Sequence, residues 1–121
     1  MRDFDLLASF RCAFEGLWEA LRTQRNLRIH FFIAFVTIIV GIVLQFTTIE
    51  WALITLTIGG MFVAELFNTV VEATIDLITD RYHPLAKRAK DISAGAVLVA
   101  AIVSVIVGLL IFGPRLLNRI G

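Results

Sequence analysis

The chain has 121 residues, of which 59% are hydrophobic and 17% charged, with a formal net charge of +1. Soluble domains average about 45–50% apolar and about 25% charged, so an ordinary soluble domain is excluded. Disorder is excluded by the apolar content, a disulfide framework by the single Cys12, and a nucleic-acid partner by the absence of a strong net charge.

Residues 3–25 read as an interfacial helix. Leu6, Leu7, Phe10, Phe14, Leu17 and Trp18 fall on one side of a 3.6-residue wheel, and Arg11, Glu15, Glu19 and Arg22 on the other. Three stretches of about 20 apolar residues or more follow, at 29–49, 51–75 and 92–112, each long enough to cross a bilayer. The expected fold is therefore all-α: one membrane-embedded domain, 1–121, with three transmembrane helices behind an amphipathic surface helix. No cleavable leader is expected, because the start of the chain is charged and mixed. Turns are expected around Glu50, over Asp80 to Pro84, and at Gly113-Pro114. Gly59, Gly60, Ala64 and the run Ala94-Gly95-Ala96 suit close helix contact.

Orientation follows from the basic residues. Residues 1–28 hold Arg2, Arg11, Arg22, Arg25 and Arg28, and residues 76–91 hold Arg81, Lys87, Arg88 and Lys90. Against these nine stand only Arg115 and Arg119 on the other side, so the N-terminus and the 76–91 link belong in the cytoplasm. A multi-pass protein of the cell's inner (cytoplasmic) membrane is expected.

The second span is unusual for its acids. Glu65, Asn68, Glu72 and Asp76 share about an 80° arc of one helix face. An ionisable residue at mid-membrane costs roughly 2.5–3.5 kcal/mol on insertion scales, which makes these residues a functional site by default. Measured from Trp51, Glu65 lies ~21 Å along the helix and Glu72 ~32 Å. With a hydrocarbon core of ~30 Å, Glu72 reaches the cytoplasmic interface and Glu65 lies about two turns deeper. Lys87, Lys90 and Asp91 follow at helical spacing and suit a polyphosphate. Carboxylates with lysines suggest Mg²⁺ and a nucleotide, although no phosphate-binding glycine loop is present. His30 and His83 are too few and too separated for a metal site by spacing alone, and His30 reads as an interfacial residue. Alternatives from other classes are a small proton- or cation-conducting oligomer and a purely structural subunit.

The run Glu65-Leu66-Phe67-Asn68-Thr69-Val70-Val71-Glu72-Ala73, then Asp76, Tyr82-His83 and Ala89-Lys90-Asp91, closely resembles the prokaryotic diacylglycerol kinase family, which includes the undecaprenol kinases. The run Arg25-Asn26-Leu27-Arg28-Ile29-His30 looks like members outside the Gram-negative type, several of which use polyprenol. The resemblance implies a homotrimer that transfers the γ-phosphoryl of MgATP to a lipid hydroxyl, of diacylglycerol or undecaprenol, at the cytoplasmic interface. It implies Glu65 as general base, Asn68 as an orienting residue and Glu72 as a metal ligand. It implies Lys90 at the ATP phosphates and Asp91 at the nucleoside, with His83, Lys87 and Asp76 in support. At the place of Gln24 the family often has a second metal-binding Glu; a glutamine can coordinate through its carbonyl oxygen but brings no charge. Glu65, deeper and less hydrated, suits a base better than a permanent anion.

Overall fold

The computed structural model describes residues 5–120, with side chains through Asn118. Residues 3 and 4 of the expected surface helix, Arg2 and the side chain of Arg119 lie outside the described residues. Four helices follow in order: α1 (Leu6–Thr23), α2 (Arg25–Val43), α3 (Thr48–Ile78) and α4 (Pro84–Ile120). The last three are long and apolar enough to cross a membrane, and the protein is an all-α integral membrane protein. α3 and α4 pack as an antiparallel pair, with α2 laid against α3 and α1 leading into α2.

α1 starts where the Asp5 carboxylate accepts hydrogen bonds from the N–H groups of Leu7 (3.1 Å) and Ala8 (3.4 Å), satisfying donors with no intrahelical partner. It ends at Thr23 because Gln24 takes an extended backbone. Arg28, in the first turn of α2, reaches back and donates Nη1 to the carbonyls of Leu21 (3.1 Å) and Arg22 (2.8 Å). Those carbonyls belong to the last turn of α1 and otherwise lack a helical donor, so Arg28 fixes the elbow between the two helices. Leu6, Leu7, Phe10, Phe14 and Trp18 remain exposed, which leaves the apolar stripe of α1 free for a membrane surface.

α2 begins at Arg25 rather than Ile29 and ends at Val43 rather than Ile49. The turn is a Schellman motif: Phe46 N–H donates to Gly41 O (3.0 Å) and Gln45 N–H to Ile42 O (3.2 Å). Its left-handed position is filled by Gln45 (φ 56°) where glycine is usual. α3 then opens on a reciprocal cap, Glu50 N–H to Thr47 Oγ1 (3.2 Å) and Thr47 N–H to Glu50 Oε1 (2.9 Å). The link expected around Glu50 therefore lies at 44–47, and Glu50 belongs to α3.

Close approach in this chain occurs at Gly41. A Cβ there would lie 2.7 Å from Trp51 Cη2 and 2.8 Å from Phe46 Cδ2, whereas at Gly59, Gly60 and Gly95 it would meet nothing within 4 Å beyond its neighbours and the local helix backbone. Gly41→Ala must therefore displace two aromatic rings. It should lower stability by about 1–3 kcal/mol, the usual cost of overpacking. Thermal unfolding in detergent checks this, and an unchanged midpoint would contradict it.

α4 continues through Gly113-Pro114, where a turn is expected from sequence. Pro114 removes one helical N–H. Beyond it, however, Arg115 is bound to the start of α3 and the end of α2. Its Nε donates to Glu50 Oε2 (2.9 Å), a second nitrogen to Glu50 Oε1, and Nη1 to Leu44 O (2.7 Å). The guanidinium also lies 5.1 Å from the centre of the Phe46 ring. Phe46, Ile54 and Ile111 form a small core beneath, with Trp51 and Phe112 against it. Glu50 balances the charge of Arg115, which lessens its cost on the side away from the other basic residues.

Candidate functional site

The end of the α3–α4 pair opposite the Glu50–Arg115 cluster gathers the chemistry. α3 closes at Thr79, and Arg81 N–H donates to Thr79 Oγ1 (3.2 Å), which tightens the reversal. His83 Nδ1 accepts from Leu85 N–H (3.1 Å) at the start of α4. His83 thus acts first as a helix cap. A cleft of about 240 Å³ lies here, walled by Asp76, Asp80, His83, Lys87, Lys90 and Asp91. It combines cations with carboxylates at the rim of the apolar region.

Within it, Lys90 Nζ stands 2.7 Å from Asp76 Oδ1 and Lys87 Nζ 2.6 Å from Asp91 Oδ2. The hydrogen bond to Asp76, and then the charges of Asp76 and Glu72, favour the ammonium form of Lys90 against the cost of desolvation. One turn deeper, Ser93 Oγ donates to Asn68 Oδ1 at 2.8 Å, joining α4 to α3. Deeper again is Glu65, 5% exposed and the buried charged residue among those described. His30 Nε2 of α2 lies 3.2 Å from Glu65 Oε1, and Thr69 Oγ1 donates to the main-chain oxygen of Glu65 at 3.0 Å.

The structure thus brings Asp76, His83, Lys87, Lys90 and Asp91 to one cleft, with Asn68 and Glu65 on the same helix below it. Glu72 is exposed and forms no ion pair among the described residues. Gln24 sits at the α1–α2 break, caps α1 through its backbone N–H to Ala20 O (2.8 Å), and makes no side-chain cap bond. Among the described residues no group of three or more His, Cys, Asp or Glu side chains could hold a metal. A free carboxylate such as Glu72 suits Mg²⁺ that arrives with a nucleotide, since Mg²⁺ is commonly held by one or two carboxylates, substrate phosphates and water.

Two residues of this arrangement were not placed in the site from sequence. Ser93 carries no signal beyond its position after Asp91. His30 is misplaced by a span that starts at Ile29. Once α2 starts at Arg25, His30 lies more than a turn inside the helix, at the depth of Glu65.

Residues 11–112 match the sequence model of the family described as prokaryotic diacylglycerol kinase. The chain is 54% identical over 108 residues to undecaprenol kinase of Bacillus subtilis, across 89% of this chain and 88% of that protein. It is 45% identical over 115 residues to a diacylglycerol kinase of Synechocystis sp., across 94% of this chain and 66% of that protein. With diacylglycerol kinase of Escherichia coli K12 it shares 46% identity over 46 residues, 38% of each chain.

Proposed function

The chain belongs to the prokaryotic diacylglycerol kinase family and is a lipid kinase, and on that premise we propose that it transfers the γ-phosphoryl of MgATP to the hydroxyl of undecaprenol. The observation that carries this reading is the pairing of a cationic cleft with a buried glutamate on one helix. The cleft suits phosphates, and Glu65 lies about two turns deeper than Glu72 on α3, on the side from which a lipid would come.

Lys90 and Lys87 meet the phosphates, Asp91 the nucleoside, and Asp76 and His83 hold these groups in place. Glu72, with Gln24 as a neutral oxygen donor, would hold Mg²⁺, which would offset phosphate charge. Glu65 takes the proton from the lipid hydroxyl while that oxygen bonds to the γ-phosphorus. The bond from phosphorus to the β–γ bridging oxygen breaks and ADP leaves. Phosphoryl transfer depends on positioning and charge neutralisation, which these residues supply. Asn68, held by Ser93, orients the site.

An apolar cleft of about 340 Å³ between α2, α3 and α4 includes His30 in its lining, beside Glu65, along with Ile54, Met61, Phe62 and Phe112. A lipid chain in it would bring its hydroxyl to Glu65. We also propose a homotrimer in the cytoplasmic membrane with the cleft on the cytoplasmic side. The excess of basic residues supports that side. The open faces at Gly59, Gly60 and Gly95 support contact with further copies. Diacylglycerol is the second reading, favoured by the Synechocystis relative that matches 94% of this chain.

Phosphate transfer from ATP in mixed micelles with Mg²⁺, with undecaprenol and diacylglycerol in parallel, tests the proposal. Faster turnover of undecaprenol is expected. Faster turnover of diacylglycerol would establish the second reading, and turnover of neither would overturn both.

A further inference from the structure

We propose that His30 is a positioning residue that fixes the Glu65 carboxylate for the lipid hydroxyl. The inference rests on the kinase reading above and adds a group from α2 to a site otherwise built on α3 and α4.

Burial makes a partner necessary. The Glu65 side chain is 7% exposed and that of His30 25%, and the two meet at 3.2 Å. A carboxylate removed from water without a charged or hydrogen-bonding partner is strongly disfavoured as an anion, and a base must be an anion before it accepts a proton. The other ion pairs among the described residues engage Lys87 with Asp91, Lys90 with Asp76, Arg22 with Glu19 and Arg115 with Glu50, and none reaches Glu65. Thr69 binds the main-chain oxygen of Glu65 and so does not orient its carboxylate.

Geometry agrees with necessity. A glutamate side chain has three rotatable bonds, and contact at one oxygen from a separate helix restricts them. With His30 at Oε1, Oε2 is the oxygen left for the substrate. His30 lines the apolar cleft as well as touching Glu65, so it joins the wall that would hold a lipid chain to the group that meets its hydroxyl. A base oriented by a third group is a common catalytic arrangement.

The test compares His30→Phe and His30→Gln, each alone and with Glu65→Gln, in the full-length protein. Glutamine keeps an N–H near the place of imidazole Nε2, and phenylalanine keeps only bulk. For His30→Phe we expect kcat to fall about 10- to 100-fold, the scale of an ångström of misplacement, with the KM for ATP unchanged. His30→Gln should recover most of that loss. On the Glu65→Gln background His30→Phe should add nothing, since the two residues act as one unit. Thermal midpoint and oligomer size of each variant separate folding from catalysis. Equal losses in the Phe and Gln variants, an additive loss on the Glu65→Gln background, or unchanged kcat in His30→Phe would each overturn the proposal while leaving the kinase reading intact. No transfer to either lipid by the unmodified protein would overturn both.

Discussion

Glu65→Gln should abolish most lipid phosphorylation while leaving a folded protein of unchanged oligomer size. The substitution preserves shape and length, and an amide can still contact His30. Only the proton-accepting function is lost. A positioned general base contributes about 10²- to 10⁴-fold, so kcat should fall by that amount with little change in the KM for ATP, for which other residues are proposed. The same change replaces a buried carboxylate with a neutral group, and the thermal midpoint should hold or rise, because desolvating a charge is costly. Reduced activity with raised stability is the signature of a residue kept for chemistry. Near-normal turnover would remove Glu65 from the role of base. Lost activity with a lowered midpoint would make it a structural residue.

Much of this site is legible in the sequence because membrane burial sharpens the signal. Glu65, Asn68 and Glu72 share a helix face inside an otherwise apolar stretch, and such residues are costly enough to stand out. Lys87, Lys90 and Asp91 are readable from helical spacing. The Thr47–Glu50 cap is also written in the sequence, as a threonine three residues before a glutamate. The helix end before it is less visible, because Gln45 occupies a left-handed position that glycine or asparagine normally marks. Pro114 misleads for the opposite reason. The local preference for a break is overcome by contacts from Arg115 to Glu50 and Leu44, residues far away in the chain. His30 and Ser93 depend on which faces of separate helices meet, and neither period nor composition determines that.

Lys90→Met should be the second severe variant, through a different step. Lys90 is held by Asp76 at 2.7 Å, with its charged form favoured by that contact and by Glu72 behind it. A phosphate arriving in the cleft competes with Asp76 for the ammonium, and as the γ-phosphoryl moves, charge builds on the bridging oxygen of the leaving group. A fixed cation aimed at developing charge is worth about 10²- to 10³-fold in kcat. Methionine keeps the stem and loses the charge, so kcat should fall on that scale and the KM for ATP should rise, unlike in Glu65→Gln. Asp76→Asn separates the two functions of the pair. It weakens the hold on Lys90 but leaves the cation in the cleft, so its loss of kcat should be much smaller than that of Lys90→Met. Steady-state kinetics with ATP varied at saturating lipid distinguishes the cases. If Asp76→Asn were as damaging as Lys90→Met, the pair would serve as a brace between α3 and α4, and the phosphates would have to be met by Lys87. If Lys90→Met retained full activity, Lys90 would have no part in transfer.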